Sequence, residues 1–365
     1  MLRAVALARR AEGLTRPNPP VGAVLVKQGR VVGEGYHRRA GGPHAEVFAF
    51  RKAKAKARGA TLYVTLEPCS TWGRTPPCVD AILKHGVKRV VVGVCDPNPL
   101  HAGRGLEILR KAGIEVTVGV KADACQDLLD PFASWMTRKR PWITLKMGVS
   151  MDGRIADAKG CSRWITGPEA RREVHALRRR VDAILVGRRT VAADNPSLLP
   201  APAYGRKPLR VLLDPRGRLS LRARVFSDGR ARQTLVFTGA SDRSAYVKAL
   251  RARGIDVERL PLRQGAFSLA QVMRSLAARN VLHVLCEGGG SLAASLIRED
   301  LVDEAWWFIA PRLLGGAGAA SVGGPGWPLQ EAPVWRMVDC QRLGSDVWIR
   351  ARPGRSTCSP ASSSR

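Results

Sequence analysis

The chain has 365 residues, 45% of them hydrophobic, and its 60 basic and 30 acidic residues give a formal net charge of +30. This length suits two domains of ordinary size, and the hydrophobic fraction is typical of globular proteins, which excludes a wholly disordered chain. No apolar run approaches the ~20 residues that a membrane-spanning helix needs, so an integral membrane protein is also excluded.

The positive charge is spread along the chain and does not form a basic arm. It could attract nucleic acid or phosphorylated substrates, or it could form an ordinary solvated surface. Aromatic residues make up 5% of the chain, too few to favour a platform on which bases stack. Eight cysteines are too sparse for a disulfide scaffold, and the N-terminus lacks the apolar core of a secretory signal, so we expect a cytoplasmic protein.

The first part of the chain alternates between helical and extended patterns. The amphipathic, Arg-rich N-terminus could mimic a mitochondrial presequence, but a hairpin pattern at 21–36 follows so closely that we predict a first folded helix. The later predicted elements are a helix over 44–57, a strand over 61–66, a short helix over 76–84, a strand over 89–94, a helix over 104–112, a strand over 114–118 and a helix over 121–135. This alternation indicates a layered α/β domain.

A basic, proline-containing stretch at 137–141 interrupts the pattern, which then restarts. The second series of predicted elements is a strand over 142–148, a helix over 168–180, strands over 183–186, 209–213, 235–238 and 281–286, and a helix over 291–298. We therefore predict α/β domains at 1–140 and 141–352. The Ser-, Pro- and Arg-rich residues 353–365 are predicted to be a disordered tail.

One histidine and two cysteines are spaced as in a catalytic metal site. His44 and Glu46 open a predicted helix. Cys69 follows a predicted strand, and Cys78 lies at the start of the next helix. One imidazole and two thiolates offer three ligands to Zn²⁺ and leave the fourth tetrahedral position to a water, whose pKa the metal lowers towards ~7. Glu46 can carry protons from that water to a leaving amine.

The combination of H-x-E, P-C and a further Cys is the signature of zinc-dependent nucleobase deaminases. A closed structural zinc site and two ordinary core thiols are the alternatives. A closed site needs a fourth Cys or His nearby, and neither motif contains one. Eight residues separate the two cysteines, where the general pattern has two; such an insertion would form one wall of the pocket, and its Arg74 could clamp a phosphate.

A glycine-rich turn, Gly288–Gly290, follows the predicted strand over 281–286 and precedes a predicted helix. A strand that feeds such a turn and a helix N-terminus presents free backbone N–H groups to a phosphate, and glycines permit close approach. An ordinary connecting turn is the alternative. Because the sequence is not the G-x-G-x-x-G fingerprint, it favours a dihydrofolate-reductase-like domain over a Rossmann domain.

Several motifs together resemble the bacterial riboflavin-biosynthesis deaminase/reductases. The first half contains PNPPVGAVLV, GPHAEV, TLEPCSTWGRTPPC and DPNP, and the second contains LKMGVSMDGRIA, SRWITGPEAR, ILVGRRTVAADNP and EGGGSLAASL. The resemblance runs from about residue 2 to residue 350. It implies a cytidine-deaminase-like three-layer α/β/α domain followed by a dihydrofolate-reductase-like α/β domain, with Zn²⁺ and NADPH as cofactors.

The resemblance also implies roles for individual residues. In the deaminase half, it implies zinc ligands His44, Cys69 and Cys78, the proton carrier Glu46, and the substrate-binding residues Asn18, His37 and Arg74. In the reductase half, it implies an NADPH site made of Gly148, Trp164, Thr190, Asp194, Gly289, Gly290, Ser291, Leu292, Ala293, Ala294 and Ser295. It implies substrate contacts from Lys146, Ser162, Arg178, Leu198 and Glu287, with Lys146 and Asp194 near the hydride-transfer site. The alternatives, without the resemblance, are that Trp164 is a core residue and that Arg178 belongs to a solvated helix face.

Two positions depart from the family pattern. Thr71 stands where many members have His, so the affinity for substrate or its pH dependence is expected to differ. After Leu198 the family usually has Thr and, two residues later, an Arg that helps to hold the substrate phosphate. This chain has Leu199–Pro202 there, and Arg206 is a possible substitute.

The sequence therefore predicts a bifunctional enzyme that deaminates a phosphorylated pyrimidine and then reduces its ribosyl group with NADPH. We expect a small-molecule substrate, no membrane partner, no nucleic-acid partner and a homo-oligomer. Two alternatives stay open. One is a tRNA-type nucleic-acid deaminase with a basic accessory domain, motivated by the charge; the other is a deaminase whose reductase-like module is inactive, motivated by the missing Arg.

Overall fold

The computed structural model describes residues 1–73, 76–99, 101–202 and 207–354. The chain divides into two compact units. The first contains residues 1–142 with two short later segments, 179–182 and 273–282, and the second contains 143–178, 183–272 and the chain from 283 onward. The division of the sequence at residue 140 stays a prediction.

Up to residue 141, the described part of the first unit contains five strands and five helices. Its strands are β1 (Gly22–Lys27), β2 (Arg30–Tyr36), β3 (Thr61–Leu66), β4 (Arg89–Val94) and β5 (Glu115–Val118). Its helices are α1 (Leu2–Arg9), α2 (Ala45–Ala53), α3 (Cys78–His85), α4 (Arg104–Lys111) and α5 (Ala122–Arg138). A 3₁₀ turn, Lys54–Ala57, extends α2.

These strands form one sheet with helices on both faces. The strand order is β2-β1-β3-β4-β5; β1 pairs antiparallel with β2 and β3, whereas β3, β4 and β5 are parallel. One face packs on α2, α3 and α4 through a cluster that includes Phe50, Leu62 and Ile82. The other packs on α1 and α5 through Val5, Leu66 and Leu129. The predicted three-layer α/β/α fold is confirmed.

The elements after residue 141 are more numerous. The strands are β6 (Trp142–Ser150), β7 (Arg154–Ala156), β8 (Ala183–Gly187), β9 (Leu209–Leu213), β10 (Thr234–Thr238), β11 (Asp256–Arg259), β12 (Leu262–Arg263), β13 (Ala266–Phe267), β14 (His283–Cys286), β15 (Glu304–Ala310), β16 (Ala319–Ala320), β17 (Trp335–Leu343) and β18 (Asp346–Pro353). The helices are α6 (Pro168–Arg180), α7 (Arg188–Asp194), α8 (Arg224–Ser227), α9 (Ala245–Ala252), α10 (Leu269–Ala278) and α11 (Gly290–Arg298).

Nine of these strands form a mixed sheet in the order β11-β10-β9-β8-β14-β6-β15-β18-β17. Strands β11, β10, β9, β8 and β14 pair in parallel, as do β6 and β15, while β18 is antiparallel to both β15 and β17. The central strands are almost wholly apolar and buried, which is typical of a sheet covered on both faces. The predicted second α/β domain is confirmed.

Some element boundaries differ from the prediction. The short helix predicted from Pro76 begins at Cys78, because Pro77 is extended at its N-cap. The strand predicted from Val281 begins at His283. The predicted tail starts too early, since Pro353 still belongs to β18 and the Gly354 N–H donates to the Val334 carbonyl; residues 355–365 lie outside the described residues. Within the described part of the chain, no helix has both the length and the apolar character to cross a membrane.

Candidate functional site

The three predicted metal ligands meet at one end of the first unit. His44 is the N-cap residue of α2, Cys69 follows β3, and Cys78 is the first residue of α3. Parallel strands and helix N-termini commonly place functional groups together at this end of an α/β sheet. The ligand atoms of these residues all lie within 4.8 Å of one another.

The spacing of the donor atoms fits zinc. His44 Nδ1 lies 3.1 Å from Cys78 Sγ and 3.5 Å from Cys69 Sγ. A tetrahedral zinc ion with Zn–N and Zn–S bonds of about 2.0 and 2.3 Å separates the nitrogen from each sulfur by about 3.5 Å, so a small lengthening of the shorter distance accommodates the ion. Hydrogen bonds from Cys78 and His44 hold the pKa of the Cys69 thiol well below its usual range, which favours the thiolate that binds metal.

The carboxyl group of Glu46 lies beside this cluster without belonging to it. Glu46 is on the first turn of α2, is buried, and contacts the Cys78 thiol. Burial raises the pKa of Glu46, and the positive charge of His44 partly opposes that change. A carboxyl group with a raised pKa next to a metal site is suited to accept and return a proton.

His37 and Asn18 form a fixed pair on the wall of the same cavity. His37 Nδ1 lies 3.0 Å from the Pro43 carbonyl oxygen, so this nitrogen is the donor. The His37 Nε2 then accepts from the Asn18 amide Nδ2 at 3.2 Å. Burial lowers the pKa of His37, and both hydrogen bonds are compatible with the neutral ring. The pair orients the Asn18 amide in the cavity wall.

A cavity of about 390 Å³ joins these groups. It is lined by Pro17, Asn18, Pro19, Val21, His37, Gly41, Gly42, His44, Glu46, Leu66, Glu67, Cys69, Thr71, Gly73, Asp96, Asn98, His101 and Phe132. Of the seven residues predicted for this site, five line the cavity and Cys78 adjoins it through the metal cluster. Thr71, which differs from the family pattern, also lines the cavity. Arg74, the seventh, lies outside the described residues.

The sequence prediction missed the segment after β4. Asp96, Asn98 and His101 reach the cavity from a loop that includes the DPNP motif, in which the sequence predicted no site residue. Glu67, in TLEPC, was missed as well. It is buried and accepts backbone N–H groups from Asp96, Gly103 and Gly105, so it fixes this loop.

A second cavity, of about 420 Å³, lies in the other unit beside the middle of β6 and the carboxyl ends of β8 and β14. Its lining residues are Lys146, Met147, Gly148, Ile155, Ser162, Arg163, Trp164, Ile165, Thr166, Arg171, Val174, His175, Arg178, Val186, Thr190, Asp194, Pro196, Ser197, Leu198, Arg224, Glu287, Gly288 and Gly289. All five predicted substrate-contacting residues are among them. Of the predicted NADPH residues, Gly148, Trp164, Thr190, Asp194 and Gly289 line it.

The remaining predicted NADPH residues belong to α11, which begins at the edge of this cavity. Ala293 and Ala294 are buried and are not among the residues that line the cavity. Gly290 is required for packing, since a Cβ there would lie 2.3 Å from the Ala320 carbonyl oxygen. Ser291 is exposed, and Arg189 donates to its hydroxyl at 3.4 Å.

Arg178 and Glu287 are paired with each other in the cavity wall. Arg178 Nε lies 2.6 Å from one carboxylate oxygen of Glu287 and Nη2 lies 2.6 Å from the other. Arg178 Nη1 also donates to the Leu199 carbonyl at 3.0 Å. Burial opposes the charge of Glu287, but the charge and hydrogen bonds of Arg178, together with the charges of Lys146 and His175, outweigh burial and lower the pKa of Glu287. The interpretation of Arg178 as part of a solvated helix face is wrong.

Lys146 lies on β6 among the charges of this cavity. Burial lowers the pKa of Lys146. The nearby Glu287 and Asp194 carboxylates partly offset this lowering, whereas the charge of Arg178 lowers the pKa further. Ser162 donates to Asp194 Oδ1 at 2.5 Å. A cation, a carboxylate and a hydroxyl group therefore converge where parallel strands end.

Trp164 is 61% exposed, which excludes its interpretation as a core residue. Arg171 lies over its ring, 4.6 Å from the centroid. The cavity also contains Arg163 and Arg224, neither of which the sequence prediction had selected. Although this chain lacks the family Arg after Leu198, other cationic side chains therefore line the cavity. Arg206, the suggested substitute, lies outside the described residues.

Two family models match this chain. The RibD C-terminal domain matches residues 141–349, and the cytidine and deoxycytidylate deaminase zinc-binding region matches residues 1–94. The first contains every residue named around the second cavity, and the second contains His44, Glu46, Cys69 and Cys78.

Curated relatives and solved structures are similar over nearly the whole chain. The riboflavin biosynthesis protein RibD of Aquifex aeolicus is 42% identical over 96% of this chain and 96% of its own length, and that of Escherichia coli K12 is 41% identical over 96% and 97%. The RibD structure from Acinetobacter baumannii (form 1) has a TM-score of 0.85 and 37% identity over 97% of this chain and 98% of that one. The deaminase/reductase structure from Thermotoga maritima has a TM-score of 0.85 and 38% identity over 97% of both chains.

Proposed function

This chain belongs to the RibD family of bifunctional riboflavin biosynthesis enzymes, and from that membership we propose which reaction each cavity performs and which residues perform it. The enzyme has a zinc-dependent deaminase half and an NADPH-dependent reductase half. Its reactions are the hydrolytic removal of ammonia from a pyrimidine and the reduction of a ribosyl group. The convergence of His44, Cys69 and Cys78 beside Glu46 is the observation that carries the proposal for the first cavity.

In the first cavity, water adds at C2 of 2,5-diamino-6-ribosylamino-4(3H)-pyrimidinone 5′-phosphate, and the C2 amino group leaves as ammonia. His44, Cys69 and Cys78 hold the zinc, which when bound lowers the pKa of a coordinated water and so supplies a nucleophile at neutral pH. Glu46 accepts a proton at its carboxylate and delivers it to the departing amine. Its burial keeps it from exchanging that proton freely with solvent.

Asn18 and His37 orient the pyrimidine in this proposal. The two hydrogen bonds of His37 fix which atoms Asn18 presents to the cavity. A fixed amide can distinguish the hydrogen-bonding pattern of one pyrimidine edge from another, because a mismatched edge leaves buried polar groups unpaired. We also propose that Arg74, which lies outside the described residues, contacts the phosphate of the substrate.

In the second cavity, C1′ of the deaminated product accepts a hydride, the C1′–O4′ bond breaks and O4′ takes up a proton, so that the ribose opens to a ribityl chain. NADPH supplies that hydride when bound, and the residues proposed to hold it are Gly148, Trp164, Thr190, Asp194 and the 289–295 segment. Lys146 and Asp194 are the polar partners near the carbon that accepts the hydride. Ser162, Leu198 and the paired Arg178 and Glu287 hold the substrate.

The test is to incubate the purified protein with the pyrimidine phosphate and to measure ammonia with and without NADPH. We expect ammonia in both cases and NADPH oxidation only when the deaminated product is present. Ammonia without any NADPH oxidation would favour the alternative of an inactive reductase module. Failure to release ammonia from this substrate, together with tight and salt-sensitive RNA binding, would favour the nucleic-acid deaminase.

We also propose a cytoplasmic homo-oligomer. The cysteines among the described residues are free, as expected in a reducing compartment. Leu329, Val334 and Met337, on and just before the edge strand β17, are 87%, 77% and 58% exposed, and apolar residues on a sheet edge favour self-association. Light scattering of the purified protein tests the oligomer, and a monomer at micromolar concentration would exclude it.

A further inference from the structure

The mouth of the zinc-site cavity contains a contact between Thr71 and His101. Thr71 Oγ1 lies 3.4 Å from His101 Nδ1, and both residues line the cavity. Thr71 occupies the position where many members of the family have histidine. An imidazole therefore lies at hydrogen-bonding distance from the position that lacks one, although it comes from a residue thirty positions further along the chain.

Among the described residues that line this cavity, few can carry positive charge. Its described lining residues include no Lys or Arg, and its imidazoles are those of His37, His44 and His101. His44 is a zinc ligand in the proposed function, and His37 is buried with both ring nitrogens engaged by Pro43 and Asn18.

The acidic groups of the cavity make this shortage important. Glu46, Glu67 and Asp96 line it. A phosphate that enters such a cavity is repelled unless a cation or hydrogen-bond donor faces it. Among the described lining residues, His101 is the imidazole left for this role.

The backbone holds His101 in place. Its N–H donates to the Asn98 carbonyl at 2.9 Å, and its carbonyl accepts from Arg104 N at 2.8 Å. Glu67 fixes both ends of the same loop through the N–H groups of Asp96, Gly103 and Gly105. At Gly105 a Cβ would lie 2.2 Å from the Pro68 carbonyl, so the loop lies directly against the segment that carries Cys69.

The mouth is also where a phosphate belongs. The reacting pyrimidine carbon must reach the metal ligands, of which Cys78 is buried, whereas Thr71 is exposed and His101 is half-buried. A phosphate is strongly hydrated and loses least by staying at the open end. We propose that His101 donates a hydrogen bond to the 5′-phosphate of the deaminase substrate and thereby replaces the histidine that position 71 lacks; this inference rests on the proposed function.

The kinetic test compares His101→Ala with the wild type on the pyrimidine phosphate and on its dephosphorylated counterpart. Loss of a charge-assisted hydrogen bond should raise KM for the phosphorylated substrate about tenfold or more, with kcat changed less than about threefold. KM for the dephosphorylated compound should not change. The double variant Thr71→His with His101→Ala should recover most of the lost affinity. An equal effect on both compounds, or no effect on either, would overturn the inference.

A binding measurement separates this inference from the proposed function. Titration calorimetry with ribose 5-phosphate should give weaker binding to zinc-loaded His101→Ala than to the wild type, and Lys111→Ala, on the exposed face of α4, should bind as the wild type does. If the wild type released no ammonia but His101→Ala weakened ribose 5-phosphate binding, the proposed reaction would fail and the phosphate contact would stand. Equal binding by both proteins would refute the contact whatever the reaction.

Discussion

Arg178 and Glu287 form a two-bond ion pair with N–O distances of 2.6 Å, and their side chains are only 14% and 10% exposed. Removing one partner leaves a buried charge uncompensated. Arg178→Met should therefore lower the free energy of unfolding by about 3–5 kcal/mol and abolish NADPH oxidation. Urea unfolding and an absorbance assay measure the two effects.

The matched control replaces both charges, as Arg178→Met with Glu287→Leu. Because no buried charge is then left, stability should recover most of the loss while activity stays absent. The pH dependence has a definite sign: the lowered pKa of Glu287 contributes stability above its unfolded value, about 4.3, and this contribution disappears as pH falls through the folded pKa. If the double variant were as unstable as the single variant, the unpaired charge of Glu287 would not be the cause of the lost free energy of unfolding.

Loss of the positive charge of Lys146 should limit the rate of the reductase reaction at alkaline pH. Burial lowers its pKa below the usual value near 10.4, so its positive charge is lost at a lower pH than that of an exposed lysine. NADPH oxidation should fall as pH rises through this pKa, and Lys146→Arg should move the fall to higher pH. Lys146→Met should lose at least about a hundredfold in rate, since the charge is absent at every pH.

Stability gives an independent check on Lys146. Because the folded state favours the neutral amine, the wild type should gain stability relative to Lys146→Met as pH rises from the folded pKa towards about 10.4. Urea unfolding at several pH values measures this difference. A difference that is flat or falls with pH would contradict a lowered pKa.

Metal removal should separate the two reactions. Each cavity is lined by residues of a single unit, and the three metal ligands all belong to the first unit. Cys78→Ala should lose zinc and at least about a thousandfold in ammonia release, because one of three ligands is gone. NADPH oxidation with previously deaminated substrate should stay within twofold. Cys125→Ala, a buried thiol of α5 outside the site, should retain zinc and both activities; equal zinc loss in this control would implicate general destabilisation.

Local sequence patterns predicted the parts of the fold that depend on local physics. The strand Thr61–Leu66 and the helix Pro168–Arg180 were placed correctly, because each has an uninterrupted pattern and clear end signals. Helices α9 and α10 were missed, although their apolar residues lie at helical spacing. Strands β17 and β18 were missed because their exposed, mixed residues carry little alternation.

The residues of the candidate site likewise divide into those that a local sequence pattern predicts and those that it does not. His44, Glu46, Cys69 and Cys78 lie in short motifs whose chemistry is specific to a metal, so sequence alone selected them. His101 and Glu67 act through contacts with residues about thirty or more positions away, and no local pattern indicates such pairs. The pairing of Arg178 with Glu287, 109 residues apart, is of the same kind.

Glu46 gives the sharpest test of the deaminase chemistry. Glu46→Gln keeps the size of this buried side chain and removes its ability to accept a proton, so ammonia release should fall by at least about a hundredfold. Zinc content should be unchanged, because Glu46 is not among the three ligands. The control Glu107→Gln, on the exposed face of α4, should match the wild type in both measurements. If Glu46→Gln retained its zinc and more than about a tenth of the wild-type rate, proton transfer would belong to another group, since loss of a general acid–base catalyst costs more than that.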